Sequence, residues 1–311
     1  MNPGTRNLSR RRFLASSAAL ATTLQLQRAA LAAGLMGEPD VCRLNAEQEV
    51  GPYYVAGEML RSDIVEGKPG VPLSLRILVL DARSCKPLAN AAVDVWHCDA
   101  LGVYAGFTKQ SMMGPGGPEG PGGPPPGFPP PGFPPSGSAA AGPDDRRGPP
   151  GGMSHPSDEL TFLRGIQMTG PDGAVSFRTV FPGFYMGRTN HIHFKVRVGG
   201  HAEGRTYAAG HTSHTGQVFF PEEVAAALMQ HEPYRLHTIH RTTQQEDHVF
   251  GDQHGALSMA RIRPMHPSDP GKEQSFAAGM HADLVAAVDP TATPAGVGVG
   301  PDRMPPPPGR G

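Results

Sequence analysis

The sequence predicts an all-β chain, a β-sandwich core with long loops and one short helix. Three observations predict it. Runs of apolar and β-branched residues are short, and turn signals separate them. Helix-period patterns are scarce. Glycine and proline are abundant, at 41 and 35 of 311 residues, which favours many turns over long helices.

The elements follow in order. Residues 73–81, Leu-Ser-Leu-Arg-Ile-Leu-Val-Leu-Asp, form an apolar strand. Residues 90–96, Asn-Ala-Ala-Val-Asp-Val-Trp, come after a proline-bearing turn and read as its antiparallel neighbour. Residues 161–167 and 174–181 flank Gly170-Pro-Asp-Gly173, a strong turn signal. Residues 191–198 form a strand with alternating faces. Residues 221–229 read as the short helix, with Pro221 at its first turn and Glu222 and Glu223 near its positive end. Residues 256–262 and 276–288 supply late strands. Short strands at this spacing argue for a sandwich.

The two ends and one interior stretch stand apart from this body. Ser9-Arg-Arg-Arg-Phe-Leu14, a mildly apolar run and the small-residue site Ala30-Leu-Ala32 make residues 1–32 a twin-arginine signal peptide. The expected destination is the periplasm or the medium. No cysteine follows the cleavage site, which argues against a lipid anchor, and no other apolar run is long enough to span a bilayer. Residues 33–70 read as an N-terminal arm of a single domain whose sandwich occupies residues 71–290. Residues 112–152 are dominated by glycine and proline, too poor in apolar bulk to offset their ordering entropy, and are expected to be a mobile insertion. Residues 291–311 read as a disordered tail.

A formal net charge of -1 points to neither nucleic acid nor an anionic membrane surface as a partner. Cys42, Cys85 and Cys98 permit one bridge and leave a thiol over. With residues 73–81 and 92–98 as neighbouring strands, Cys98 would lie about 20 Å from the turn that holds Cys85. That is too far to bridge, so Cys42 is favoured as one end of any disulfide, and three free thiols remain the alternative.

The chemistry is concentrated in Pro182-Gly-Phe-Tyr-Met-Gly-Arg-Thr-Asn-His-Ile-His193. Alternation along a strand puts His191 and His193 on one side, a few ångströms apart. Imidazole is a common ligand for transition metals. Phenol is the unusual part, because it binds metal only after losing a proton of pKa about 10. A hard trivalent cation can drive that loss at neutral pH, and Fe(III) is the abundant one. Upstream, Val93-Asp-Val-Trp-His-Cys-Asp-Ala-Leu-Gly-Val-Tyr104 reads as a strand, a glycine turn and a second tyrosine. Eight further histidines between His201 and His254 have irregular spacings and few accompanying acids, and are expected to be loop or solvated residues.

In this pattern the sequence resembles the intradiol ring-cleaving dioxygenases, the catechol and protocatechuate families. The matching positions are Trp96, Gly102, Tyr104, Pro182, Gly183, Tyr185, Arg188, His191 and His193, with Gly51-Pro-Tyr-Tyr54 and Gln217-Val-Phe-Phe-Pro221 as further landmarks. The resemblance runs from about residue 46 to 290, and the insertion departs from it. It implies a β-sandwich and one Fe(III) per chain held by Tyr104, Tyr185, His191 and His193. It implies a catechol-type aromatic diol and O2 as reactants, with the ring opened to a muconate-type diacid. Tyr185 would leave the metal and help remove the substrate's proton, while Tyr104 stays bound. Arg188 would set a permanent cation beside developing negative charge. Gln217 and Tyr54 would line the substrate site. The chain before Gly51 is too short for the helical extension of catechol-type relatives, so it looks closer to protocatechuate-type cores or exported single-domain members. The rival is a transthyretin-like sandwich that binds a phenolic ligand or a metal without turnover.

Replacing residues 112–152 with a short Gly/Ser linker is expected to leave soluble, folded protein, because loop-closure entropy changes slowly with length. Aggregation of that variant on expression would show that the segment packs against the body.

Overall fold

A computed structural model describes residues 42–57, 59–111, 156–266 and 275–297. The signal segment, residues 112–152 and the end of the tail from residue 298 lie outside the described residues. The body described here belongs to the unit Leu44–Gly311.

Among the described residues nine strands form two sheets. They are β1 (Pro72–Asp81), β2 (Lys86–Pro87), β3 (Ala92–Trp96), β4 (Arg164–Met168), β5 (Ala174–Val180), β6 (His191–Glu203), β7 (Thr206–Phe219), β8 (Arg261–Pro264) and β9 (Met280–Val288). One sheet runs β2-β1-β9-β8, with β5 on β1, and the other runs β4-β3-β6-β7. The expected all-β sandwich is what forms. The expected short helix forms at Glu222–Leu228, and two more, Thr108–Ser111 and His248–Asp252, add to it. Among the described residues no helix is long and apolar enough to cross a membrane.

Alternation accounts for the layers. Leu73, Leu75, Ile77 and Val79 of β1 meet Val93 and Val95 of β3 and Ile192, Phe194 and Val196 of β6 in one buried apolar cluster. The opposite parity of β3 and β6 therefore faces away from the sandwich core. There a second cluster gathers Trp96, Tyr104, Tyr185 and Tyr53. Burying two faces of one sheet requires a second cover, and loops and the N-terminal arm supply it.

Several sequence expectations change. β1 and β3 are not neighbours, because β1 pairs with β2, β5 and β9, whereas β3 pairs with β4 and β6. The apolar runs looked like a hairpin, but the two-residue β2 ends that pairing and the chain crosses to the other sheet. Cys42 and Cys85 are disulfide-bonded and Cys98 is a buried free thiol, so the inference about Cys42 holds although its premise fails. Residues 255–258 form a tight 3-10 turn rather than a late strand. The strand expected at 191–198 continues into a long hairpin with β7, which lacks the steady alternation that would have announced it.

Phe177 of β5 is fully within the inter-sheet cluster, at 1% exposure. Phe177→Ala is expected to lower unfolding free energy by about 3–5 kcal/mol in denaturant titrations. A loss below about 1 kcal/mol would place that ring outside the core.

Candidate active site

The site is a cross-strand row completed by two turns. On the outward face, His193 stands opposite Trp96 on one side and Gln217 on the other, and His191 stands opposite Phe219. The tyrosines come from the loops at the end of this row. Asp99 builds the first turn, its Oδ1 accepting from the N–H groups of Leu101 at 2.9 Å and Val103 at 3.0 Å. Gly102 lies at φ +80° with the Phe184 carbonyl where a Cβ would go, so only glycine lets the two loops close up. The second turn closes through the Arg188 N–H on the Tyr185 carbonyl at 3.0 Å, and Gly183 N–H donates to the Asp99 carbonyl at 3.1 Å. Asn190 donates to the carbonyls of Pro182 and Gly183, both at 3.0 Å, fixing where the loop meets β6.

Tyr104, Tyr185, His191 and His193 are thereby brought together and buried. The Tyr104 and Tyr185 ring centroids lie 5.7 Å apart, Tyr185 and His191 5.6 Å, and Tyr104 and His193 6.4 Å. The two Nε2 atoms of His191 and His193 are 3.1 Å apart. His191 Nδ1 sits 2.6 Å from the Thr189 carbonyl. A carbonyl only accepts, so Nδ1 carries the proton and Nε2 presents its lone pair.

Arg188 occupies the centre of the network. Its Nε donates to Asp247 at 3.1 Å, its Nη1 to Glu49 at 3.2 Å and to the Tyr185 hydroxyl at 3.4 Å, and its Nη2 to Gln217 Oε1. The guanidinium is thus held by two buried carboxylates as well as touching the site. Burial alone would lower its pKa, and the charges of Tyr185, Asp247 and Glu49 outweigh that and hold it above its ordinary value. Burial would raise Glu49, yet His248 and the Arg188 charge bring it below the usual range. Asp247 is likewise lowered, by Arg188 and His191 against burial.

The donors themselves are electrostatically opposed to ionisation. Burial pushes both phenols up, Tyr104 also through Tyr185 beside it. Burial and the Arg188 charge push His191 down to about 3, and burial with His191 and Arg188 pushes His193 well below its ordinary value. The imidazoles are therefore neutral bases at ordinary pH, the form a metal requires.

The donor set can be tested against a cation directly. Two nitrogens bound at about 2.1 Å and at right angles on one ion would lie about 3.0 Å apart. The observed separation of the two Nε2 atoms, 3.1 Å, fits that. No group of three or more His, Cys, Asp or Glu able to hold a metal occurs among the described residues. A metal here would therefore need the phenols, and a phenolate-rich set suits a hard, highly charged ion.

Gln217 is fully buried, accepting from Arg188 and donating to the Glu49 carbonyl at 2.9 Å, so it joins the network rather than an open wall. Tyr54 donates to Asp94 Oδ2 at 3.0 Å and packs edge-on against Trp96. It is Tyr53 that lies against the two candidate ligands, with ring centroids 4.7 Å from Tyr104 and 5.8 Å from Tyr185. Adjacent residues of an extended segment face opposite ways, and nothing in Gly51-Pro-Tyr-Tyr54 indicates which tyrosine turns inward. Glu49 and Asp247 were also missed. Asp247 carried a local signal, since it caps the helix His248–Asp252 through the N–H groups of Val249 and Phe250.

No family model matches the chain, and no curated protein matches it in sequence. Solved structures do match. An intradiol ring-cleavage dioxygenase from Tetranychus urticae is 28% identical, with a TM-score of 0.59 over 81% of this chain and 98% of its own. A second dioxygenase structure, also 28% identical with a TM-score of 0.59, covers 81% of this chain and 97% of its own. The fold is that of the intradiol ring-cleavage dioxygenases. The likeness spans nearly the whole length of these two structures.

Arg188→Ala is expected to cost about 3–5 kcal/mol of stability, because it strands two buried carboxylates. The pH dependence has a definite sign. Glu49 and Asp247 fold with values below their ordinary 4.5 and 3.8, so their contribution is complete above those values and is lost as pH falls through the lowered ones. In Arg188→Ala that acid-side loss should shrink. Equal acid slopes for variant and wild type, read by denaturant titration, would remove Arg188 as the cause.

Proposed function

We propose that the chain is an Fe(III)-dependent intradiol dioxygenase that cleaves a catechol-type ring with O2 between its two hydroxylated carbons, giving a muconate-type diacid. One observation carries the reading. Two phenols and two neutral imidazoles share one buried cluster on a fold like that of intradiol dioxygenases.

Tyr104, Tyr185, His191 and His193 would hold the ion. Bound there, Fe(III) would supply a Lewis-acidic centre that lowers the pKa of its phenol ligands and of a chelating catechol. The protein's own groups then have separable tasks. Tyr185, once ionised, is the base that takes a proton from a substrate hydroxyl. Its hydroxyl oxygen accepts from Arg188 Nη1 at 3.4 Å, so the guanidinium stabilises the phenolate and favours the same orientation afterwards. Gln217 orients Arg188, and Glu49 with Asp247 keeps it in place. Tyr104 sits deepest, at 0% exposure, which suits the ligand that stays. Tyr53, packed on both phenols, would border the space a substrate ring enters.

Folded export by the twin-arginine route is part of the proposal, and fits a protein that must take up its metal before crossing. A sandwich that binds a phenolic compound without turnover is the reading to be separated from it.

An oxygen electrode with a panel of catechols separates the two. Reconstituted protein is expected to consume O2 with at least one catechol, and to be coloured by tyrosinate-to-Fe(III) charge transfer. Tyr104→Phe should lose most of the visible band or the iron. Full iron with an unaltered spectrum in that variant would remove Tyr104 from the ligand set, and binding without O2 uptake across the panel would favour the binding module.

A further inference from the structure

The two imidazoles are secured in different ways. His191 has its far nitrogen tied to the Thr189 carbonyl at 2.6 Å. His193 Nδ1 is buried and has no hydrogen-bond partner among the described residues. A metal-binding imidazole normally donates its other N–H to a carbonyl or carboxylate, and that bond sets the ring's angle. Something else must set it for His193.

Packing does. One face of the His193 ring lies flat on the Trp96 indole, with centroids 4.9 Å apart and planes 3° from parallel. Trp96 is the direct cross-strand partner of His193, so the strand register itself delivers the stack. At the ring's edge runs the backbone of Gly51, at φ +69°. A Cβ there would stand 3.0 Å from Cε1 and 3.2 Å from Nε2, against the edge that would carry the metal. The chain at Gly51 is itself anchored. Gln48 N–H donates to the Thr215 carbonyl at 2.9 Å and Glu49 N–H to Gln253 Oε1 at 2.8 Å. Trp96 is braced by Tyr54, whose ring meets it edge-on at 4.8 Å.

We propose that Trp96 and Gly51 are positioning residues, holding His193 Nε2 on the metal by packing in place of a hydrogen bond. The proposal rests on the reading of His193 as an iron ligand. A side-chain or backbone acceptor would also raise the basicity of the imidazole, and packing does not. His193 is then the weaker donor of the pair, and its alignment depends wholly on a rigid register and a bare glycine.

The test begins with metal-free protein carrying isotope-labelled histidine, where the readout needs no iron. The His193 ring protons should be moved strongly upfield by the indole above them. Trp96→Leu should abolish that displacement and broaden the resonances, Trp96→Phe should keep much of it, and Gly51→Ala should move them. Fe(III) titration of the folded variants should then show affinity weaker by about tenfold to hundredfold for Trp96→Leu and Gly51→Ala. The tyrosinate band should be displaced in both, with Trp96→Phe close to wild type. A purely structural role would lower the melting temperature but leave the affinity and band of the folded fraction unchanged, and that result overturns the proposal. So does an undisplaced His193 ring in the wild type, which decides the matter even if Trp96→Leu does not fold. A wild-type protein with the displaced ring that takes up no iron overturns the ligand reading itself, and the positioning role with it.

Discussion

The site depends on one buried cation. Arg188, at 4% exposure, binds Asp247, Glu49, Gln217 and the Tyr185 hydroxyl through three nitrogens. A guanidinium out of water is tolerable only when its donors and charge are satisfied, and here two carboxylates do both. Each partner comes from a different part of the chain, so satisfying Arg188 draws them together. Glu49 brings the N-terminal arm, Asp247 brings the helix it caps, Gln217 brings β7, and Tyr185 is a residue of Arg188's own turn. The electrostatic requirement of one residue thereby closes the loops over the outward face of the sheet.

That face would otherwise be a liability. A sheet of four strands with aromatic residues on its outer side needs cover, and the arm provides it as a strap rather than a strand. Asn45 N–H donates to the Ala287 carbonyl at 2.9 Å, and Gln48 bonds both backbone and side chain across to β7. Arg164, from β4, donates to the carbonyls of Tyr53 and Ala105, both at 2.7 Å, pinning the strap to the loop that carries Tyr104. The strap is functional by position, since it places Glu49 on Arg188, Gly51 on His193 and Tyr53 on the two phenols.

The legibility of these features in the sequence follows their range. His191 and His193 were readable as a same-side pair because a strand's period is fixed by local geometry. The turns carrying Tyr104 and Tyr185 were readable because Gly102, Gly183 and Gly187 mark them, although the Phe184 carbonyl that makes Gly102 obligatory is a tertiary fact. What the pattern could not reveal was pairing. β1 and β3 look like a hairpin because each is apolar and the link is short, whereas the choice between sheets is decided by the parallel ladder from β9, about two hundred residues away. The Tyr53 and Tyr54 ambiguity is of the same kind. Asp94 decides it by accepting the Tyr54 hydroxyl, and a cross-strand register, not a local preference, puts Asp94 there.

Burial and ionisation work against each other at the two phenols, and that conflict defines the chemistry the cluster can support. Burial holds the proton on both Tyr104 and Tyr185, with Tyr185 adding to it at Tyr104 and the Glu49 charge adding to it at Tyr185. Arg188 opposes this for Tyr185, but its charge is already shared with Glu49 and Asp247. Surrounding groups are therefore insufficient to create two phenolates at neutral pH. A ligand with a large positive charge would do so, and two neutral imidazoles whose Nε2 atoms converge would offer it a place without adding negative charge of their own. The anions that would neutralise such an ion are thus the phenols it ionises. Without such an ion the phenols keep their protons, and the same burial that disfavours the phenolates leaves all four donor side chains uncharged.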